Sequence, residues 1–154
     1  MTYKRYKYGK PNHYKCSQRK TKKTQNKMNK SMIANLTNKW IKEVSINNDP
    51  AAITKLFCPK AKLIGTFSKI NRNKDDDIKE YFEYFAKLKG LRVLSKLYNI
   101  QRLDDRVFVN TVEIKWMWDA LNKPNTTRMT FIYRDGCIAQ LHSSVLPESN
   151  DYIK

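Results

Sequence analysis

The strongest constraint in this chain is a predicted β-hairpin near its end. Residues 126–134 and 137–145 are two short runs that are rich in β-branched and aromatic residues and in which polar and apolar residues alternate. They are joined at Asp135 and Gly136, a pair that favours the two-residue loop of a hairpin. The sequence therefore predicts an antiparallel sheet in this part of the chain.

The second strand of the hairpin is predicted to have one polar and one apolar face, because side chains alternate across a strand. The polar face comprises Ile138, Gln140, His142 and Ser144. The apolar face comprises Cys137, Ala139, Leu141, Ser143 and Val145. Buried polar groups cost free energy unless they have partners, so the polar face is predicted to line a wet pocket.

The rest of the chain predicts helices first and strands afterwards. Apolar residues at helical spacing predict a helix over residues 32–48, and Asp49-Pro50 predicts a second, short helix that stops at Cys58-Pro59. The remaining predicted elements are strands around Gly65 in residues 61–70, a helix from residues 75–77 to Leu88, and strands at 92–102 and 106–119. This order predicts an α+β domain whose curved sheet wraps the helices.

The positive charge is concentrated at the start of the chain. The formal net charge is +17, and residues 1–30 contain 11 Lys or Arg and no Asp or Glu. We interpret residues 1–30 as a disordered basic tail and residues 31–154 as the domain. The tail is interpreted as an arm for nucleic acid or another acidic partner, as an address signal at residues 19–23, or as a solvated extension.

Composition also bears on the compartment. No apolar run is long enough for a transmembrane helix, and the first residues lack the apolar core of a secretory signal. Three cysteines without close spacing (Cys16, Cys58 and Cys137) favour free thiols in a reducing compartment. We expect a cytoplasmic or nuclear protein that does not contact membranes, with organelle targeting by the tail left open.

Three sequence blocks resemble the nuclear-transport-factor-2-like superfamily over about residues 32–148. They are Leu63-Ile-Gly-Thr-Phe-Ser68, Ile78-Lys-Glu-Tyr-Phe82, and Arg128-Met-Thr-Phe-Ile-Tyr133 followed by His142-Ser-Ser-Val-Leu-Pro-Glu148. The best match is to the association domains of calcium/calmodulin-dependent kinase II and to iota-class carbonic anhydrases. The resemblance implies a cone-shaped fold, with N-terminal helices packed in a curved antiparallel sheet.

The resemblance to the iota class also implies a pocket that binds bicarbonate through hydroxyl groups, without metal or cofactor. The implied catalytic residues are Thr66, Tyr81, Ser144 and His142, and the implied substrate-binding residues are Arg128, Ser143 and Ser68. In this hypothesis the hydroxyls orient water and meet the developing charge of bicarbonate, while His142 carries the proton. The sequence departs from the family at Leu141, where the family has its first His, and at Met129.

Several residues have a structural interpretation beside the functional one. Tyr81 lies at helical spacing with Phe82 and Phe85, a pattern typical of a core. Arg128 could pair with Glu113 across adjacent strands instead of binding an anion. A zinc site is disfavoured because the chain has only two histidines, His13 and His142.

Two function classes follow from the sequence. One is a metal-independent enzyme that reversibly hydrates CO₂ to bicarbonate. The other is a non-catalytic association module that forms a homodimer or larger homo-oligomer through its sheet, with the basic tail binding an acidic partner. A third hypothesis is an isomerase or hydrolase of the same fold, which would need a carboxylate such as Glu113 beside His142 in the cavity.

Overall fold

A computed structural model describes residues 28–146. The predicted basic tail falls almost wholly outside the described residues, as do Cys16 and residues 147–154, so the domain boundaries stay a prediction. The helices are α1 (Lys30–Lys42), α2 (Pro50–Thr54) and α3 (Asp75–Phe85). The strands are β1 (Phe57–Ile64), β2 (Asn71–Arg72), β3 (Arg92–Arg102), β4 (Val107–Met117), β5 (Asn125–Arg134) and β6 (Cys137–Val145).

The first two helices begin at side-chain caps. The Asn29 side chain accepts a hydrogen bond from the backbone N–H of Met32 at 2.9 Å, and α1 then continues into a π-helical turn, Glu43–Asn47. Asp49 caps α2 in the same way. The prediction that α2 runs to Cys58-Pro59 is wrong, because Phe57 already pairs with β6 as the first residue of β1.

Helix α3 carries three aspartates in its first turn, where carboxylates stabilise a helix N-terminus. The helix ends at Phe85, three residues before the predicted end at Leu88. The difference arises because the backbone N–H groups of Lys87 and Leu88 bond to carbonyls only three residues back, which tightens the chain into turns. Gly90 follows with a φ of 65°.

The sheet has six strands in the order β2-β1-β6-β5-β4-β3. Strands β3 to β6 form an antiparallel meander, and β1 joins β6 in parallel. The predicted α+β architecture is confirmed, while the cone shape stays a prediction. No helix in residues 28–146 is both long and apolar enough to cross a membrane.

The helices cover one face of the sheet. The Trp40 ring on α1 meets Phe131 of β5 edge-on at 5.2 Å and Phe82 of α3 at 5.9 Å. The Thr37 and Tyr133 hydroxyls, both fully buried, lie 2.8 Å apart between α1 and β5. We call the face toward the helices the inner face and the opposite one the outer face; within residues 28–146 no helix packs on the outer face.

Strand β6 contains a bulge that changes the predicted alternation. Ile132 pairs with Gln140 and the next residue of β5, Tyr133, pairs with Ile138, so one residue of β6 (Ala139) is extra. The side chains after it are therefore shifted by one face relative to Ile138. The predicted single face of Ile138, Gln140, His142 and Ser144 is wrong, because Ile138 is buried whereas His142 and Ser144 are exposed.

The buried residues of β6 are Ile138, Leu141 and Ser143. Leu141 and Ser143 thus face the helices. The inner face of β6 therefore carries both polar and apolar residues, and its composition differs from that of both predicted faces. The polar residue that reaches the interior of this strand is a serine, not the histidine.

The expectation of free thiols is wrong for two of the three cysteines. Cys58 of β1 and Cys137 of β6 form a disulfide bond, with their Cα atoms 5.1 Å apart. The two residues are 79 positions apart in the sequence, so their pairing depends on β1 lying beside β6.

Candidate functional site

Three hydroxyl groups converge on the inner face of the sheet, near the C-terminal ends of β1 and β6. The Thr66 Oγ1 atom lies 2.5 Å from Ser143 Oγ, within hydrogen-bond distance. Tyr81 of α3 reaches the same place, because its hydroxyl lies against Gly65, the residue before Thr66. We call Thr66, Tyr81 and Ser143 the hydroxyl cluster.

Tyr81 can occupy its position in this cluster only because residue 65 is a glycine. A Cβ atom at residue 65 would lie 2.3 Å from two carbon atoms of the Tyr81 ring and 2.5 Å from its hydroxyl oxygen. Those distances are well inside van der Waals contact, and Tyr81 is 6% exposed and has little room to move. The glycine after β1 therefore lets α3 bring a phenol against the strand end.

Burial raises the pKa of Tyr81 above its ordinary value, so the cluster is neutral near pH 7. The hydrogen bonds from Phe67 and Thr66 and the charge of Arg72 oppose this rise. The Arg72 guanidinium lies 5.1 Å from the centre of the Tyr81 ring and donates to Ser68 Oγ at 2.5 Å. Ser68 is therefore linked to the cluster through Arg72.

An apolar crevice lies beside the hydroxyl cluster. Its walls are Trp40, Leu63, Tyr81, Phe82, Phe85, Met129, Leu141 and Ser143. The crevice has a volume of about 10 Å³, which is the space that one water molecule needs. The indole Nε1 of Trp40 is buried without a hydrogen-bond partner in the described part of the chain.

The other predicted site residues lie on the outer face. His142 is exposed on β6, opposite Thr130 of β5, and Ser144 is exposed opposite Arg128. Arg128 donates to Glu113 Oε1 from Nη2 at 2.6 Å and from Nε at 3.1 Å. The structure therefore shows Arg128 paired with Glu113, the pairing predicted from the sequence as the alternative to anion binding.

The seven predicted residues are thus divided between two sides of the sheet. Thr66, Tyr81 and Ser143 come together, and Ser68 lies near them, while His142, Ser144 and Arg128 lie on the other side. Glu113 is also on the outer face, so the carboxylate and imidazole that an isomerase needs do not meet in the crevice. Among residues 28–146 no three His, Cys, Asp or Glu are grouped as metal ligands.

Three residues at this site were absent from the predicted set: Trp40, Gly65 and Arg72. The sequence offered a signal for Gly65, because a glycine inside a strand pattern often marks a close approach of another group. Trp40 belongs to an apolar stripe that predicts a core residue equally well. Arg72 follows a loop, and no pattern in the sequence distinguishes it from the other basic residues.

Comparison with solved structures shows the fold clearly. A protein of Xanthomonas campestris, named as a candidate calcium/calmodulin dependent protein kinase II association domain, is 26% identical with a TM-score of 0.65, over 76% of this chain and 87% of that one. A Nostoc punctiforme domain of unknown function with a cystatin-like fold is 14% identical with a TM-score of 0.67, over 79% of each chain. A candidate isomerase from Bacillus subtilis is 16% identical with a TM-score of 0.59, over 78% and 91%.

No family model matches the chain, and no curated protein matches it. The chain thus has the fold of association-domain-like and cystatin-like proteins, consistent with the nuclear-transport-factor-2-like superfamily that its motifs resemble. Proteins with this fold carry different functions, so function must come from the residues of this chain.

We expect Gly65→Ala to displace Tyr81 and to lower the free energy of unfolding by about 1–3 kcal/mol, as overpacking does in a closed core. Urea unfolding monitored by fluorescence measures the loss. In a Tyr81→Ala background the same change should cost much less, because the ring that the new methyl group meets is gone. Equal losses in the two backgrounds would contradict the contact between Gly65 and Tyr81.

Proposed function

We propose that this chain is an association module that forms homo-oligomers through the outer face of its sheet. The observation that carries the proposal is the composition of that face, which no described helix covers and which has apolar residues at its centre. The relative at 26% identity, named as a candidate association domain, supports the same conclusion.

The outer face is mostly polar, and its polar residues surround an apolar pair at the centre. Val109 of β4 pairs directly with Ile132 of β5, and Thr111 pairs with Thr130 in the next row. Leu97 of β3 is 68% exposed at the edge of the same face. An antiparallel sheet can leave one face in water, but that face is then usually polar. A row of Val and Ile across two central strands is better explained by contact with another surface.

A second copy of the chain is the partner that fits this face. Most homo-oligomers use two-fold interfaces in which the same patch meets itself. The ion pair of Glu113 and Arg128 puts both charges next to each other on the patch, so two copies can pair without a net charge at the contact. His142 and Ser144 then lie within the interface, which explains why both side chains are exposed in a single chain.

Ile132→Glu should convert the oligomer into a monomer, because it places a carboxylate in the apolar centre of the face. Sedimentation equilibrium of the full chain measures the mass. Ile70→Glu is the matched control: Ile70 is 66% exposed in the loop before β2, away from the face, and its variant should keep the mass of the unmodified protein. A monomeric unmodified protein would contradict the proposal, and so would an Ile132→Glu protein that stays assembled.

The basic tail gives this module its proposed second partner, an acidic surface such as single-stranded nucleic acid. Residues 1–30 carry 11 of the 31 Lys and Arg residues and no carboxylate. Binding that relies on phosphate contacts weakens steeply as salt rises. Replacing Lys20, Lys22 and Lys23 by Gln should reduce that salt dependence in an oligonucleotide titration, and salt-independent binding would contradict this role. The location that we propose, the cytoplasm or the nucleus, rests on this nucleic-acid partner and not on free thiols, because Cys58 and Cys137 form a disulfide bond.

A second candidate function is metal-independent hydration of CO₂ at the hydroxyl cluster. The observation that favours it is the convergence of Thr66, Tyr81 and Ser143 beside an apolar crevice. The crevice would hold CO₂ after its side chains move apart, the hydroxyls would orient the attacking water, and the Tyr81 O–H would meet the developing charge.

This candidate ranks second for two reasons. The crevice has space for about one water molecule, and Leu141 occupies the inward position next to Ser143. Leu141 stands where the resembled family has its first histidine, so the departure falls inside the crevice. His142 and Ser144 keep their predicted catalytic roles only if the reaction takes place on the outer face.

Stopped-flow measurement of CO₂ hydration, on protein treated with a chelator, separates these sites. If the crevice is the active site, Ser143→Ala should lower the rate at least about tenfold while Ser144→Ala leaves it unchanged. The reverse pattern would place the reaction on the outer face with His142. A folded protein with no activity above buffer would contradict the enzyme and leave the association module.

A further inference from the structure

A groove on the outer face exposes the disulfide bond. The groove lies where β5 turns into β6 and has a volume of about 550 Å³, within the range of small-molecule sites. Cys58 and Cys137 form part of its wall, and both are partly exposed to solvent. The bond is therefore within reach of a small thiol, unlike a disulfide that is sealed in a core.

The backbone of β1 creates this opening. Pairing between β1 and β6 is interrupted between Phe57 and Lys62, and Lys60 adopts the left-handed conformation with a φ of 60°. That conformation is costly for a residue with a Cβ atom. It turns this stretch of β1 away from regular pairing and leaves the two sulfur atoms beside the groove.

The groove is positively charged. Lys60, Lys62 and Arg134 line it together with the two cysteines. Asp135 also lines it, but both of its oxygens accept hydrogen bonds from Arg106, so its charge is already compensated. The hydrogen bonds from Arg106 hold the pKa of Asp135 below its usual range. The three cations are left to act on whatever enters the groove.

We propose that Cys58–Cys137 is a thiol–disulfide exchange site for small thiols that carry carboxylates. The thiolate of such a molecule attacks one cysteine sulfur, and the electron pair of the broken S–S bond leaves on the other cysteine as a thiolate. A second thiolate then attacks the mixed disulfide, which releases both cysteines and the disulfide of the small thiol. Two small thiols are oxidised and one protein disulfide is reduced, so the electrons balance.

The cations favour both steps of this exchange. They attract an anionic thiol to the groove, and they stabilise the cysteine thiolate that leaves, which makes it a better leaving group. Reduction would also release the cross-link between β1 and β6.

The test compares two small thiols of opposite charge on the full chain with Cys16→Ser, which leaves a single disulfide. Glutathione carries a net negative charge and cysteamine a positive one; rates are expressed per thiolate and followed by maleimide gel shift. We expect glutathione to react on the order of tenfold faster. In the variant Lys60→Gln, Lys62→Gln, Arg134→Gln the two rates should approach each other, whereas Lys55→Gln, Lys87→Gln, Lys115→Gln should keep the preference.

Two further measurements make the test independent of how the variants fold and assemble. High salt should remove the preference in the protein with all its lysines, because it screens the groove. Because Ile132 of the outer face also lines the groove, assembly should slow the reaction of both thiols, and dilution to the monomer should speed both and keep the preference. Equal rates for the two thiols, a preference that survives loss of the three cations, or air-oxidised protein without the bond would each overturn the proposal.

Discussion

The bulge in β6 determines which groups this protein offers on each side of its sheet. One extra residue, Ala139, turns Leu141 and Ser143 toward the helices and His142 and Ser144 toward solvent. The bulge is held from both sides, since β6 pairs with β5 and with β1, and both pairings shift beside it. If Ala139 paired regularly and β6 alternated strictly after Ile138, His142 and not Leu141 would face the core.

The two sides of the sheet then have separate chemistry. The inner side places Tyr81, Ser143 and the Trp40 indole around a crevice that is nearly full, with Thr66 bonded to Ser143 beside it, an arrangement suited to rigidity or to a very small ligand. The outer side keeps the histidine and the ion pair beside a half-buried apolar pair, Val109 and Ile132, an arrangement suited to contact with another surface. The pairing of β1 with β6 is interrupted beside the same bulge, and this interruption leaves the disulfide in a groove. The proposal for the outer face and the proposal for the groove therefore both depend on the bulge.

Much of the fold was predictable because its signals are local. Asp135 and Gly136 both have positive φ angles, as the predicted hairpin turn requires, and the order of helices and strands follows from periodicity and caps. The bulge was not predictable, because neither Ala139 nor Gln140 differs from an ordinary strand residue. The disulfide was missed for a related reason: its cysteines are 79 positions apart and meet only when β1 adds to β6. Motifs named Thr66, Tyr81 and Ser143, which the structure brings together, whereas strand parity alone assigned Ser144 and not Ser143 to the pocket face.

Chemical labelling of His142 tests the central claim of this account most directly. Diethyl pyrocarbonate modifies accessible imidazoles, and peptide mass spectrometry separates His142 from His13. The account predicts that His142 is protected in the concentrated, assembled protein and modified in the Ile132→Glu monomer, while the circular dichroism of the two proteins is the same. A histidine that is modified equally in both would contradict assembly through the outer face, and one that is protected in both would contradict its place outside the core.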